Sequence, residues 1–435
     1  MAVSGRFVLL LALGAVPVVL LGQAYGLAFE ALGGWLALAV LLGIVDLLLA
    51  GSPRRVSIER DLPLRVRLGQ PARSDLYLTN GGRRALRGTV RDAWQPSAGA
   101  VTTRFAVHLP AGERRMVSAE LRPFRRGERR VEEVAIRSFG PLGLWARQAN
   151  VTAPGRIRVL PPFHSRRHLP SRLARLRELD GRTSVMIRGQ GTEFDSLREY
   201  VRGDDVRSID WRATARRDEL VVRTWRPERD RRVVIVIDSG RTSAARIDDE
   251  PRLDTAFEAA LLLAALASRA GDRIDVIAWD RRVRARVQGQ TGAELLSRMV
   301  DALASVDPEL LETDWSAVPA RVREITNQRA LVVLLTSLET PGSSRGLLSV
   351  LPQLTQRHTV LVASVTDHGT FERVGQRADL EQTYTAASAE RALLDIARVS
   401  AAARQQGAEV VTGSPADLPA AVADRYLALK AAGRL

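Results

Sequence analysis

Cysteine is absent from the 435 residues, which excludes a disulfide framework and any thiolate metal site. Lysine is nearly absent: Lys430 stands alone among 64 basic residues, so the net charge of +15 is an arginine charge. No aromatic-interleaved basic tract occurs, and arginines sit beside acids, as in Arg217-Asp218-Glu219 and Arg229-Asp230. That charge reads as solvated surface, and no nucleic-acid partner is expected. No nucleophile with an orienting base and no phosphate-cradling glycine loop accompanies the acids, so no catalytic residue is assigned. What is present is apolar material at 46%, enough for full cores in a chain with room for two or three domains.

Residues 7–21 and 28–50 are apolar runs, and a helix needs about 20 such residues to cross a bilayer. Two readings compete. Residues 1–24 form a cleaved signal peptide with Arg6 as its charged start, or both runs span. No basic residue lies between Gln23 and Glu30, whereas Arg54, Arg55 and Arg60 follow the second run closely. Positive residues stay on the cytoplasmic side, which favours a two-helix transmembrane anchor over residues 1–53 with both ends inside. Asp46, near the end of its helix, is expected at the membrane interface.

Short alternating runs divided by Asn80-Gly81-Gly82, Pro96-Ser97-Ala98-Gly99 and Pro110-Ala111-Gly112 fill residues 54–161 and predict a small β-sandwich domain serving as spacer or binding module. His164 and His168 stand four apart, but no nearby acid completes a metal set. Residues 169–179 read as an exposed amphipathic helix stopped by Gly181. Strands at 233–237, 274–279, 330–335 and 359–365 then alternate with helices. This predicts an α/β domain over 229–435 with a doubly wound, largely parallel sheet, and residues 162–228 are expected to link to it and pack on it. The first of these strands delivers Asp238 into a Ser/Gly/Thr loop, the place where an open α/β sheet presents a site.

Asp238-Ser239-Gly240-Arg241-Thr242 resembles the Asp-x-Ser-x-Ser loop of von Willebrand factor A domains, whose adhesion site holds magnesium. The resemblance implies metal ligands at Asp238 and Thr242, with Thr313 as the second-loop threonine. The chain departs from the pattern at Gly240, where a hydroxyl is expected, and at Ser337, where an aspartate is expected. A bound magnesium ion and a vestigial loop kept as a protein-binding surface both remain open. Gly189-x-Gly191-x-Glu193-Phe194, then Leu197-Arg198-x-Tyr200-x-x-Gly203-Asp204-Asp205-x-Arg207-x-Ile209-Asp210-Trp211-x-Ala213-x-Ala215-Arg216, resembles the signature of the domain of unknown function 58 family. Arg125-Arg126-Gly127 and Pro141-Leu142-Gly143-Leu144-Trp145 are similar to it too.

That resemblance implies a bacterial inner-membrane, multi-pass protein with a degenerate von Willebrand A-like domain. It also implies association with a MoxR-type AAA ATPase in assembly or chaperone-like work. The charges of the signature are expected to form a salt-bridged network clamped onto the sheet, with Trp211 and Tyr200 packed beneath it. Asp204, Asp205, Arg207, Asp210, Trp211 and Asp238 are the expected partner-binding residues, and membrane lipid is a further partner through Arg54, Arg55, Arg65 and Arg67. The rival is a metal-dependent hydrolase using Asp238 and the signature acids.

Overall fold

A computed structural model describes residues 2–186, 193–201, 204–217, 219–226, 231–248 and 250–435. Gly189, Gly191, Arg202, Gly203, Asp218, Arg229 and Asp230 lie outside the described residues. The chain divides into two compact units, Met1–Leu160 and Pro161–Leu435.

In the first unit, β1 (Ala2–Val3) leads into helices α1 (Gly5–Leu13) and α2 (Ala15–Tyr25), and α3 (Ala28–Leu49) follows a turn at Gly26. Both apolar stretches are long enough to cross a membrane. Gly14 lets them close, since a Cβ there would lie 1.8 Å from Trp35 Nε1. Strands β2 (Val56–Asp61), β4 (Ala72–Asn80) and β7 (Arg114–Leu121) form one sheet. The other contains β1, β5 (Leu86–Asp92), β6 (Arg104–Leu109), β8 (Gly127–Phe139) and β9 (Trp145–Leu160), with β3 (Arg65–Arg67) also on β9. Leu76 and Leu78 of the first sheet share a core with Val90, Val134 and Ile136 of the second. The long β9 is invisible to pattern reading because Pro154-Gly155 interrupts it. Its pairing with β8 shifts register there, between Val131 and Glu133, which is how a strand accommodates proline.

Two buried carboxylates organise this unit. Asp92 is 0% exposed and takes a bidentate pair from Arg60 at 2.9 Å plus the Trp94 indole N–H at 2.8 Å, joining β5 of one sheet to β2 of the other. Asp46, also 0% exposed, accepts backbone N–H groups from Leu142 at 2.8 Å, Leu144 at 2.7 Å and Trp145 at 3.2 Å. The acid expected at the membrane interface is enclosed by protein. Gly140 allows the approach, because a Cβ would meet the Asp46 backbone oxygen at 2.1 Å. The same loop takes Ser4 through its N–H to Leu144 O at 3.0 Å, while Phe7 packs edge-on against Trp145. Both roots of the helical hairpin thus seat on residues 140–147.

The second unit opens with α4 (Leu169–Met186), then β10 (Glu193–Glu199), α5 (Trp211–Arg217) and β11 (Val221–Arg226). Gly181 does not stop α4, and the helix is not wholly exposed, since Leu176 enters the main core. The body continues through β12 (Arg232–Asp238), a bridge pair β13 (Arg246–Ile247) and β14 (Glu250–Pro251), α6 (Arg252–Arg269), β15 (Arg273–Trp279) and β16 (Val283–Val287). It ends with α7 (Gly292–Ala304), α8 (Val318–Ile325), β17 (Leu331–Leu335), α9 (Arg345–Thr355), β18 (Thr359–Val365), α10 (His368–Val374), α11 (Leu380–Gln405), β19 (Glu409–Gly413) and α12 (Leu418–Ala431). The sheet order is β16-β15-β12-β17-β18-β19, parallel except for the β15–β16 edge. Val233, Ile235 and Ile237 face a core with α6 and α12, whereas Val234 and Val236 face one with α8 and α9. A strand buried on both faces reads as one apolar run for this reason.

Asp92→Ala is expected to destabilise the protein by about 3–5 kcal/mol, because it leaves the Arg60 charge buried and unpaired. Denaturant unfolding of the N-terminal unit's signal checks this, and a loss below about 1 kcal/mol would mean that the pair is dispensable.

Candidate functional site

β12 ends at Asp238 at the centre of the sheet, 2% exposed. One carboxylate oxygen accepts the Gly240 N–H at 2.8 Å and the Thr313 hydroxyl. The other accepts the Thr336 hydroxyl at 2.6 Å and that of Thr242 at 3.4 Å. The chain thus brings Asp238, Thr242 and Thr313 together, as expected from sequence. Thr336 was missed: its signal was a hydroxyl directly after β17, one place before the Ser337 that the motif comparison picked out. Burial pushes the Asp238 carboxyl above the usual carboxylate range, opposed by the Thr313 and Thr336 hydroxyls and the Gly240 N–H.

Gly240 has an ordinary backbone, φ −76° and ψ −171°. Its side chain is excluded by space, since a Cβ would sit 2.1 Å from Thr313 Oγ1 and 2.9 Å from Leu311 O. The place where the motif's hydroxyl would start is filled by Thr313 reaching in to Asp238. Asp314 accepts the Ser316 N–H at 3.0 Å, and Glu339 pairs with Arg252, so neither acid turns toward Asp238. Among the described residues no group of three or more His, Asp or Glu side chains could hold a metal ion. A magnesium ion wants about six oxygens in octahedral array, and the one carboxylate here is occupied on both oxygens by protein donors. A resident dication would have to displace those donors and take most of its remaining oxygens from hydroxyls and water.

Beside Asp238 opens a cavity of about 570 Å³, rimmed by Arg241, Thr242, Glu312, Ser337, Ser343 and Ser344. Arg241 and Glu312 pair across it at 2.8 Å. Asp238 itself is buried, and this rim stands between its carboxylate and solvent.

The signature acids form a separate cluster. β10 and β11 pair as an antiparallel ribbon, and the segment between them folds back on it, with Ile209 bridging Val222. Asp204 accepts Arg198 at 2.6 Å and the Val201 N–H at 2.9 Å. Asp205 accepts the Arg207 N–H at 3.0 Å. Asp210 caps α5 by accepting the Arg212 and Ala213 N–H groups at 3.0 Å, and takes Arg223 at 2.8 Å. The Arg198 bond holds Asp204 below its ordinary range, and the Ala213 N–H with Arg223 does the same for Asp210. The expected network exists, but its bonds stay within the segment. Trp211 does not pack beneath it; it is 67% exposed, on the side of α5 left uncovered. Among the described residues no hydrogen bond or ion pair joins Asp204, Asp205, Arg207, Asp210 or Trp211 to Asp238, Thr242 or Thr313. His164 and His168 lie in a 3-10 turn and do not share a site: the His164 and Ser165 N–H groups bond Glu258, while His168 Nε2 accepts Arg167.

The family described as "Protein of unknown function DUF58" matches residues 196–404, from the charged segment through α11. Uncharacterized proteins of Mycobacterium bovis and Mycobacterium tuberculosis are 27% identical over 184 residues, 42% of this chain. The matched part spans 57% of the length of those relatives. Among solved structures, the CARDB domain of a Pyrococcus furiosus protein covers 24% of this chain and 94% of its own at 16% identity and a TM-score of 0.20. A β-glucosidase from Listeria innocua covers 23% of this chain and 16% of its own, also at 16% identity, with a TM-score of 0.16. Scores that low carry no argument about fold or activity.

Millimolar magnesium is expected to leave the melting temperature unchanged; a rise that Asp238→Ala abolishes would show that the dication fits after all. The raised Asp238 carboxyl also sets a sign. Its contribution to stability is full below the ordinary carboxylate value of about 3.9 and is lost as pH rises through the higher folded value. Asp238→Asn should therefore flatten that part of the stability–pH profile, and an unchanged profile would remove Asp238 as its source.

Proposed function

We propose that the chain is a membrane-anchored protein-interaction adaptor. In this reading the helical hairpin spans the inner membrane, and a β-sandwich and a von Willebrand A-like domain face the cytoplasm. The partner implied by the sequence resemblance is a MoxR-type AAA ATPase, with the complex acting in assembly or chaperone-like work.

The observation that carries the reading is the outward face of α5 and the turn before it. Trp211 and Val206 are 67% and 63% exposed, and Arg207, Arg212 and Arg216 stand exposed around them. The acids of the same segment are bonded to Arg198, Arg223 and backbone N–H groups. An exposed tryptophan among arginines has the composition of an interface anchor. A hydrolase would need Asp238 and the signature acids to converge on one substrate, and each acid is instead held by its own donors.

Full-length tagged protein captured from gently solubilised native membranes should bring down the ATPase. A Trp211→Ala, Arg207→Glu double variant should lose it by at least about tenfold, the size expected from a hot spot worth 1.4 kcal/mol or more. Equal recovery with the variant, or no ATPase with either protein, would overturn the proposal.

A further inference from the structure

We infer that the first unit carries a binding site for anionic phospholipid headgroups, a collar of arginines around the root of the helical hairpin. The inference rests on the reading that the hairpin spans a bilayer.

The geometry starts at the end of α3. Its 22 residues give about 33 Å at 1.5 Å per residue, the depth of a hydrocarbon core, so the segment after Leu49 emerges at a headgroup layer. Arg54 and Arg55 follow at once and are exposed. Residues 81–87 are held against the same end by backbone contacts. The Gly81 N–H donates to Arg55 O at 3.0 Å, and a Cβ on Gly51 would meet Ala85 O at 2.7 Å. Arg84 donates to Leu48 O within the last helical turn. Arg83 and Arg87 flank these contacts, both exposed. On the other root, Arg6 lies beside Gly143 of the loop that encloses Asp46. The segments that meet here, residues 2–7, 46–56, 81–88 and 139–147, contain one carboxylate, Asp46, and its oxygens are consumed by Leu142, Leu144 and Trp145.

Arg54, Arg55, Arg83 and Arg87 therefore present cationic charge, with no ion pair among the described residues, at the level where an apolar helix ends. Phosphodiester headgroups are the anions found at that level, and Leu142, 48% exposed on the same loop, adds an apolar contact toward the acyl boundary. Each arginine held near such a surface adds to the attraction for anionic lipid. Arg65 and Arg67 do not belong to the collar. They pair with Arg158–Leu160 at the far end of β9, whose 16 residues begin at the hairpin root with Trp145, roughly 40–50 Å away at strand rise.

The test uses the full chain reconstituted into nanodiscs of phosphatidylcholine with spin-labelled phosphatidylglycerol or spin-labelled phosphatidylcholine as probe. The expected result is a several-fold higher immobilised fraction for the phosphatidylglycerol probe. That preference should fall to parity in an Arg54, Arg55, Arg83, Arg87→Gln variant and survive in Arg65, Arg67→Gln. Circular dichroism of both variants confirms folding, and Arg84, which bonds the helix end, is left in place. Equal immobilisation of the two probes by the wild type, or a preference lost equally in both variants, overturns the collar. Failure of the chain to enter nanodiscs overturns the spanning hairpin and the collar with it.

Discussion

A carboxylate buried away from water must have its lone pairs filled by donors that the fold holds still, or it costs several kcal/mol. Asp46, Asp92 and Asp238 all meet that condition, and each gathers donors from segments distant in sequence. Asp46 sits in the last turn of α3 and fixes the loop before β9, which in turn pairs with β1 and receives Ser4. Removing those acceptors would leave three backbone N–H groups unpaired at the root of the hairpin. Asp92 does the same between the two sheets, and Asp238 does it at the carboxyl end of the parallel sheet, tying the loops after β12 and β17 to the segment at Thr313.

This use of the acids explains what pattern reading could and could not see. The strands at 233–237, 274–279, 330–335 and 359–365 were legible to within a residue or two, because a strand covered on both faces is a continuous apolar run. The ribbon of β10 and β11 was not, since charged residues interrupt both short strands and its order comes from their mutual pairing and from contacts such as Arg223–Asp210. β9 was hidden by Pro154-Gly155 and by polar positions on its exposed face. At the site, Asp238, Thr242 and Thr313 were found because motif spacing carries them. Thr336 and the crowding at Gly240 depend on distances between loops about 70 to 100 residues apart in sequence, and no local pattern encodes those.

With the acids committed to internal order, the surplus charge falls outward as arginine. Arginine keeps its charge and offers a planar fork of donors, so the faces left for partners are basic and, at Trp211, aromatic. The chain presents two such faces on different units: the α5 segment of the second and the hairpin root of the first. On the proposed adaptor reading these two faces would do the recruiting, with specificity set by the anionic or apolar groups that a partner offers.

The most direct measurement is amide hydrogen exchange on the full chain in nanodiscs, with and without the purified MoxR-type ATPase. The account predicts slowed exchange across residues 204–216, where Asp204, Asp205 and Asp210 already order the backbone behind Trp211. Unchanged exchange there at saturating ATPase would contradict it.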